Sequence, residues 1–426
     1  MTCKEYPRLW EKMYWHTLPN GMTVAVVPRP GFARKLAYLV TDFGSLQREF
    51  TLNGEKILAP QGVAHYLEHK LFDMPDMDVS EAFAAMGASV NAFTGYDMTA
   101  YYFSATECFD RCLELLLQFV LTPYFTEQSV AKEQGIIAQE IDMNEDAPET
   151  RVFENLMGAM YESHRISEPI LGTRETIAQI MPEVLRKVHS AFYRPDNLLV
   201  CVGGDVDPEA ICRAASAATE GILPVQVEEK PQPTEPMRCV KSAVSANMDV
   251  AMPMFQLGFK CEPLGLGEES VRRELIGDLA AEILFGESSE LYLHLYDMGL
   301  IDSSFGGGFE TVKGMAMLTA SGDSLDPEAV RNAILQQAQT LLRQGVSQED
   351  FARCKRSALG RRMRDMDSFD SLCFRISAYH FSGFDYFCFP QVYQDIGLSD
   401  VLAFVEEAVT PERCSLSVIY PVTKEV

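Results

Sequence analysis

The spacing of hydrophobic positions predicts both helices and strands in this chain. Residues 129–145 carry apolar side chains at intervals that suit one packed face of a helix: Val130, Ile136, Ile137 and Ile141. Residues 88–103 predict two short strands that are joined near Gly95. Helices and hairpins in one chain are typical of a fold in which helices pack on antiparallel sheets.

One order of elements occurs twice along the chain. Residues 180–203 and residues 396–421 each show a helical pattern after an isoleucine, then a proline turn, then an apolar strand. The two turn prolines, Pro195 and Pro411, are separated by about half of the 426 residues. Repetition at that interval predicts the duplication of one domain.

The boundary between the two copies is marked by a change of composition. Residues 224–236 read P-V-Q-V-E-E-K-P-Q-P-T-E-P, which is typical of an extended linker. We therefore predict an N-terminal domain over residues 1–223, a linker over 224–240 and a homologous C-terminal domain over 241–426. The expected fold class is α+β, with two duplicated domains that are each a mainly antiparallel sheet covered by helices.

The most informative motif is H-Y-L-E-H at residues 65–69, because H-x-x-E-H is a zinc-hydrolase arrangement. On a helix, His65 and His69 lie on one face, so both imidazoles can reach a single ion. Glu68 lies beside that face, where its carboxylate can take a proton from metal-bound water. The alternative interpretation is a helix with two half-buried, hydrogen-bonded histidines and no metal.

A third ligand is expected from residues 129–145. Two histidines and one carboxylate would leave a coordination position for water, as catalytic zinc sites do. Glu133 and Glu140 are two helical turns apart and so lie on one stripe of the predicted helix. Either carboxylate could bind the metal while the other orients a histidine, and the spacing leaves both assignments open.

The second copy lacks these ligands. When the copies are aligned, D-L-A-A-E-I-L-F at residues 278–285 falls on H-Y-L-E-H-K-L-F at residues 65–72. Asp278, Ala281 and Glu282 then replace His65, Glu68 and His69. We predict that the C-terminal domain keeps the helix, has no metal site and closes a chamber over the first domain.

Composition excludes two classes of function. The formal net charge of −25 argues against nucleic-acid binding, which needs Lys and Arg to displace counterions from phosphates. No apolar run is long enough to span a bilayer, and the N-terminus has no apolar signal core. The 11 cysteines are scattered and odd in number, as expected of free thiols in a reducing compartment. A cytoplasmic protein that binds no membrane is the expectation.

Taken together, these motifs resemble those of the pitrilysin/insulinase family of zinc peptidases. The similarity extends over nearly the whole chain, and it is greatest to the bacterial YmfH-like branch. It rests on H-Y-L-E-H at 65–69, G-I-I-A-Q-E-I at 135–141 and G-A-S-V-N-A-F-T at 87–94. The resemblance implies an endopeptidase with one Zn²⁺ per chain that hydrolyses short or unfolded peptides.

The resemblance also assigns roles to individual residues. It implies that Glu140 is the third zinc ligand and that Glu133 supports the site. It implies further that an edge strand pairs with the backbone of the substrate, a mode of peptide binding known as β-augmentation. The residues of that strand are Asn91, Ala92, Phe93 and Thr94.

One departure from the family pattern concerns residues 295–304, L-Y-D-M-G-L-I-D-S-S. Family members usually carry an Arg and a Tyr in this region, whereas this run has no Arg and has Asp302 or Ser303 at the Tyr position. Because split members of the family receive these groups from a subunit without the zinc motif, we predict a heterodimer, with a homodimer as the alternative.

A non-catalytic scaffold subunit of the same fold is the alternative function. Residues 306–308, G-G-G, predict a tight turn or part of a partner-facing surface.

Overall fold

A computed structural model describes residues 1–75 and 77–422. Its strands, in chain order, are β1 (Thr2–Tyr6), β2 (Glu11–Thr17), β3 (Thr23–Pro28), β4 (Lys35–Thr41), β5 (Glu49–Leu52), β6 (Glu55–Leu58), β7 (Asp73–Met74), β8 (Met77–Asp78), β9 (Ser89–Thr94), β10 (Thr99–Ala105), β11 (Leu198–Gly204), β12 (Val227–Glu229), β13 (Ala243–Met248), β14 (Met254–Cys261), β15 (Gly306–Val312), β16 (Met315–Asp323) and β17 (Cys414–Pro421).

The α-helices of the same residues are α1 (Val63–Leu71), α2 (Val79–Ala85), α3 (Phe109–Leu121), α4 (Glu127–Glu145), α5 (Pro148–Met160), α6 (Arg174–Ile177), α7 (Pro182–Phe192), α8 (Pro208–Ala218), α9 (Glu268–Phe285), α10 (Glu290–Asp297), α11 (Pro327–Gln344), α12 (Gln348–Asp365), α13 (Phe369–Phe381), α14 (Phe389–Gln394) and α15 (Leu398–Ala408). Of the helices in the described part of the chain, none has both the length and the apolar composition needed to cross a bilayer.

The chain forms two compact units. The first comprises Met1–Ile141, Pro169–Pro231 and Met363–Cys388. Its main sheet has seven strands in the order β1-β2-β3-β11-β4-β10-β9. Neighbouring strands are antiparallel except β3 and β11, which are parallel. All residues of β11 are buried, as expected of a central strand that is covered on both faces.

The second unit comprises Asp142–Glu168, Gln232–Arg362 and Phe389–Val426 and repeats this topology. Its five strands are ordered β13-β17-β14-β16-β15, again with one parallel pair, β13 and β17, and with antiparallel neighbours elsewhere. Strand for strand, this order matches β3-β11-β4-β10-β9 of the first unit. The predicted α+β fold with a duplicated, mainly antiparallel sheet is confirmed.

Each unit includes one helix from a distant part of the sequence. In the first unit α13 packs on β4 and β11, so closely that a Cβ on Gly203 would lie 2.8 Å from the Phe369 ring. In the second unit α5 packs on β14 and β17, and a Cβ on Gly258 would lie 2.5 Å from the sulfur of Met160. The partition of the chain at residues 224–240 stays a prediction, and the compact units do not follow it at these two helices.

Three local expectations differ from the structure. The glycines at 306–308 begin strand β15, and Gly307 is required because a Cβ there would lie 2.3 Å from the Phe285 ring. Part of the predicted linker forms β12, which pairs with β5. Ile136 is 45% exposed, whereas Val130, Ile137 and Ile141 are buried as predicted. The predicted hairpin is present as β9 and β10.

A buried histidine makes the stability of the first unit depend on pH. His189 on α7 places Nε2 2.8 Å from the carbonyl oxygen of Val120, and burial lowers the pKa of this imidazole to about 4. The unfolded chain takes up the proton near pH 6.5, so folding stability falls as the pH drops from that value towards 4. We expect this residue to account for a loss of about 2 kcal/mol between pH 7 and pH 5.

Urea unfolding at both pH values measures this contribution. His189→Gln, whose amide can donate to the same carbonyl, should lose less stability on acidification than the unaltered chain. His294→Gln on the exposed face of α10 is the matched control. Equal pH dependence in all three proteins would contradict the assignment.

Candidate metal centre

Helix α1 carries the H-Y-L-E-H motif and is almost entirely buried. Its N-cap is Gly62, at φ 88°, where a Cβ would lie 2.4 Å from the carbonyl oxygen of Leu171. Only glycine suits that combination of positive φ and close approach. His69 and Lys70 lie in the last turn, where positive charge favours the helix dipole. Gly62 therefore suits the start of the helix, and the basic residues of the last turn suit its C-terminal end.

Helix α4 lies against α1 and brings the predicted carboxylates to the motif. The phenol of Tyr66 donates a hydrogen bond to the carbonyl of Val130, and this bond links the two helices. Glu140 has a side chain that is 36% exposed, while Glu133, two turns earlier, is 15% exposed. Both glutamates thus face the motif from one stripe of α4, as the spacing predicts.

Three side chains converge in this arrangement. Nε2 of His65 lies 3.5 Å from Oε1 of Glu140, and Nε2 of His69 lies 3.5 Å from Oε2 of the same carboxylate. The ligand atoms of all three residues lie within 4.8 Å of one another, and no other such group of His, Cys, Asp and Glu occurs among residues 1–75 and 77–422. With ligand bonds of about 2.0–2.2 Å, tetrahedral zinc holds neighbouring ligands about 3.4 Å apart. The donor set and its spacing therefore fit zinc.

Glu133 occupies a different position from Glu140. Its Oε1 lies 3.0 Å from Nδ1 of His69, the ring nitrogen that does not face Glu140. Burial lowers the pKa of His69, but the hydrogen bond to Glu133 and the charges of Glu68, Glu133 and Glu140 outweigh it and raise that pKa. The contact with His65 lowers the pKa of Glu140. One glutamate thus faces both imidazoles, and the other orients one of them.

Glu68 points to the same region and is held by a strand. The hydroxyl of Thr94, the last residue of β9, donates a 2.7 Å hydrogen bond to Oε2 of Glu68. Glu68 as a whole is 9% exposed. From the sequence, Thr94 is expected only on a peptide-binding strand. Its hydrogen bond to Glu68 was not predicted, because no local sequence pattern indicates it.

The other predicted peptide-binding residues lie on the same strand. β9 is the edge strand of the seven-stranded sheet and pairs only with β10 among the strands described. Asn91 and Ala92 face a cavity that also reaches Glu68 and His69. Phe93 instead contacts the rings of Tyr102 and Phe374.

The corresponding helix of the second unit carries ion pairs in place of the motif. On α9, Asp278 accepts a 3.2 Å hydrogen bond from Arg362, which also contacts Glu274 at 2.8 Å. Glu282 is paired with Arg361. Both arginines come from α12, which is the second helix after β16 as α4 is the second helix after β10. Guanidinium groups therefore link the two helices that correspond in chain order to α1 and α4. That this copy holds no metal stays a prediction.

Comparisons with known proteins agree on one family. Residues 58–174 match the family described as insulinase (peptidase family M16), and residues 179–358 match the peptidase M16 inactive domain. YmfH of Bacillus subtilis (strain 168), an uncharacterized zinc protease, is 35% identical over 98% of both chains. YmxG of the same organism, also an uncharacterized zinc protease, is 28% identical over 73% of this chain and 76% of its own.

Solved structures give the same result. An M16-like peptidase from Alicyclobacillus acidocaldarius superposes with a TM-score of 0.93 at 30% identity, over 97% of this chain and 99% of that one. Pitrilysin shares the fold alone, with a TM-score of 0.77 at 19% identity over 100% of this chain and 46% of its own. The resemblance predicted from the motifs, including that to YmfH, is confirmed. The chain belongs to the insulinase family of peptidases, family M16.

Proposed function

We propose that this protein is a zinc-dependent endopeptidase that hydrolyses short or unfolded peptides. The observation that carries the proposal is the convergence of His65, His69 and Glu140 beside Glu68. Three protein ligands leave a position open, which is the arrangement of catalytic zinc and not of structural zinc. Relatives described as zinc proteases support this assignment.

Each side chain then has one task. His65, His69 and Glu140 hold the ion, and Glu133 keeps His69 in the orientation that presents Nε2. When bound, zinc supplies a Lewis acid that polarises the peptide carbonyl and lowers the pKa of water. Glu68 takes the proton of the attacking water and returns it to the departing amine. Thr94 holds Oε2 of Glu68 so that the carboxylate keeps its place between these two proton transfers.

The edge strand β9 supplies the expected means of holding a peptide. Its outer backbone groups have no partner strand among the described residues, so an extended peptide can add to the sheet there through main-chain hydrogen bonds. Asn91, Ala92, Phe93 and Thr94 would form this docking edge. Such binding requires an extended substrate, because a folded chain already uses its backbone groups internally.

A substrate in two states tests this selectivity. A small disulfide-bonded protein is incubated with the zinc-loaded enzyme in its native form and after reduction and alkylation. We expect internal cleavage of the unfolded form only, with fragments identified by mass spectrometry. Equal cleavage of both forms would contradict the requirement for an extended chain, and cleavage of neither would contradict the endopeptidase.

The role of Glu133 gives a quantitative prediction. Residues that orient a metal-bound histidine typically contribute about 10–100-fold to metal affinity. Glu133→Gln should therefore weaken zinc binding by about that factor, as measured by competition with a chromophoric chelator. Glu127→Gln, an exposed glutamate at the start of the same helix, is the matched control. Unchanged affinity in Glu133→Gln would exclude the orienting role.

We further propose that the active form is a heterodimer with a homologous subunit that lacks the zinc motif. The support is the run of residues 295–304, which contains no arginine for charge stabilisation of the tetrahedral intermediate. The native mass and metal content of the chain purified from its own cells test this. One zinc with a second polypeptide of similar size is expected. An active monomer or homodimer would contradict the heterodimer, and a chain without metal would favour the scaffold alternative.

A further inference from the structure

A cavity of about 380 Å³ in the first unit adjoins the candidate metal centre. Glu68 and His69 lie at one side of it, and Val90, Asn91 and Ala92 of β9 form another. A volume near the lower end of the range for ligand pockets, about 300–1,000 Å³, suits one side chain and not a folded segment. A peptide added to β9 would present a side chain to this cavity, which we call the β9 cavity.

Most charged groups that line the β9 cavity already have partners. Glu133 is hydrogen-bonded to His69, and Glu68 accepts the hydroxyl of Thr94. Asp73 is paired with the fully buried Lys70. Each of these carboxylates therefore has at least one partner within the protein.

Lys132 is the exception. It lies on α4 immediately before Glu133, lines the cavity and is exposed. Within the part of the chain that the structure describes, its ammonium group makes no hydrogen bond or ion pair. A cation without an internal partner, placed at the wall of a cavity, is available to a charged group of a ligand.

We propose that Lys132 makes the β9 cavity selective for an acidic side chain, Asp or Glu, at a substrate position next to the scissile bond. The inference rests on the proposed peptidase function and adds a substrate class to it. An acidic side chain would pair with Lys132, whereas the cation would repel a Lys or Arg side chain placed beside it. The adjoining Phe72 and Val90 would contact the aliphatic part of the side chain.

Matched peptides test this proposal. A fixed peptide carries Glu, Gln or Lys at each position around its cleavage site, and cleavage is followed by mass spectrometry. The unaltered enzyme should prefer Glu to Lys at one position by about tenfold, since attraction and repulsion each contribute about threefold and the two factors multiply. Lys132→Glu should invert the preference and Lys132→Met should remove it. The preference should weaken at high salt, because a partly exposed ion pair is screened.

A binding measurement separates this inference from the proposed function. Fluorescence anisotropy with the same labelled peptides is recorded on Glu68→Gln and on Glu68→Gln combined with Lys132→Glu. Cleavage with the same preference in Lys132→Glu as in the unaltered enzyme would overturn the role of Lys132 and leave the peptidase intact. Another outcome is charge-selective binding that Lys132→Glu inverts, but no cleavage by the unaltered enzyme. It would support the selectivity role of Lys132 and contradict the peptidase activity. Neither cleavage nor binding would contradict both.

Discussion

Replacing Glu68 with glutamine is expected to lower kcat by about 10²–10⁴-fold while zinc remains bound. The amide keeps the size of the carboxylate and can still accept the hydrogen bond of Thr94, so the local structure should be retained. It cannot take a proton from the attacking water. The measurement is peptide hydrolysis together with the zinc content of the same sample.

The control for this variant is Glu114→Gln, an exposed glutamate on α3. It should hydrolyse peptides at the rate of the unaltered enzyme. Activity of Glu68→Gln within a factor of about two of that rate would remove Glu68 from the mechanism. Loss of both zinc and activity would instead assign Glu68 a role in metal binding and not in proton transfer.

Removing the carboxylate of Glu140 should have the largest effect on metal binding. Glu140→Ala leaves only the two imidazoles, so the loss of zinc affinity should exceed the range of about 10–100-fold expected for Glu133→Gln. Because a metal that binds only the folded state stabilises it, zinc should raise the unfolding temperature of the unaltered chain and barely change that of Glu140→Ala.

Calorimetry of zinc binding and thermal unfolding with and without zinc measure both effects. Gln139→Ala, an exposed neighbour on α4, controls for the change in the helix itself. Equal zinc affinity in Glu140→Ala and Gln139→Ala would show that another group completes the site.

The sequence predicted much of the candidate site because its spacing follows the helical period. His65 and His69 share one face of α1, and Glu133 and Glu140 share one stripe of α4, as their intervals require. Spacing did not decide which glutamate faces both imidazoles. That distinction depends on how α4 lies against α1, an arrangement to which the Tyr66 hydrogen bond to Val130 contributes.

Contacts between distant parts of the chain account for what the sequence did not reveal. The hydrogen bond from Thr94 to Glu68 joins the end of strand β9 to helix α1. The repeats of a helix or a strand relate positions within one element, so they do not predict this contact. The docking of α13 on β11 depends on Gly203, because a side chain at this position would clash with the Phe369 ring. The sequence does not show that these two residues are in contact. The strand at Gly306–Val312 was mistaken for a turn because three glycines favour turns locally, whereas packing against Phe285 selects glycine in a strand.

The two copies of the fold link corresponding helices, α1 with α4 and α9 with α12, through different side chains. In the second unit Arg361 and Arg362 of α12 bind the carboxylates of α9, at positions that correspond to the motif. Ion pairs can therefore link this helix pair where the ligand set is absent. The fold itself therefore does not require the histidines and Glu140 at these positions, in keeping with the metal site proposed for the first unit.

A zinc titration followed by peptide hydrolysis is the decisive test of a zinc-dependent peptidase. The purified protein, with its partner if one is present, is stripped of metal and titrated with zinc while hydrolysis of an unfolded peptide is recorded. We predict no hydrolysis without zinc and full hydrolysis when about one zinc per chain is bound. Full activity of the metal-free protein, or no activity with His65, His69 and Glu140 carrying zinc, would contradict the proposed zinc-dependent hydrolysis.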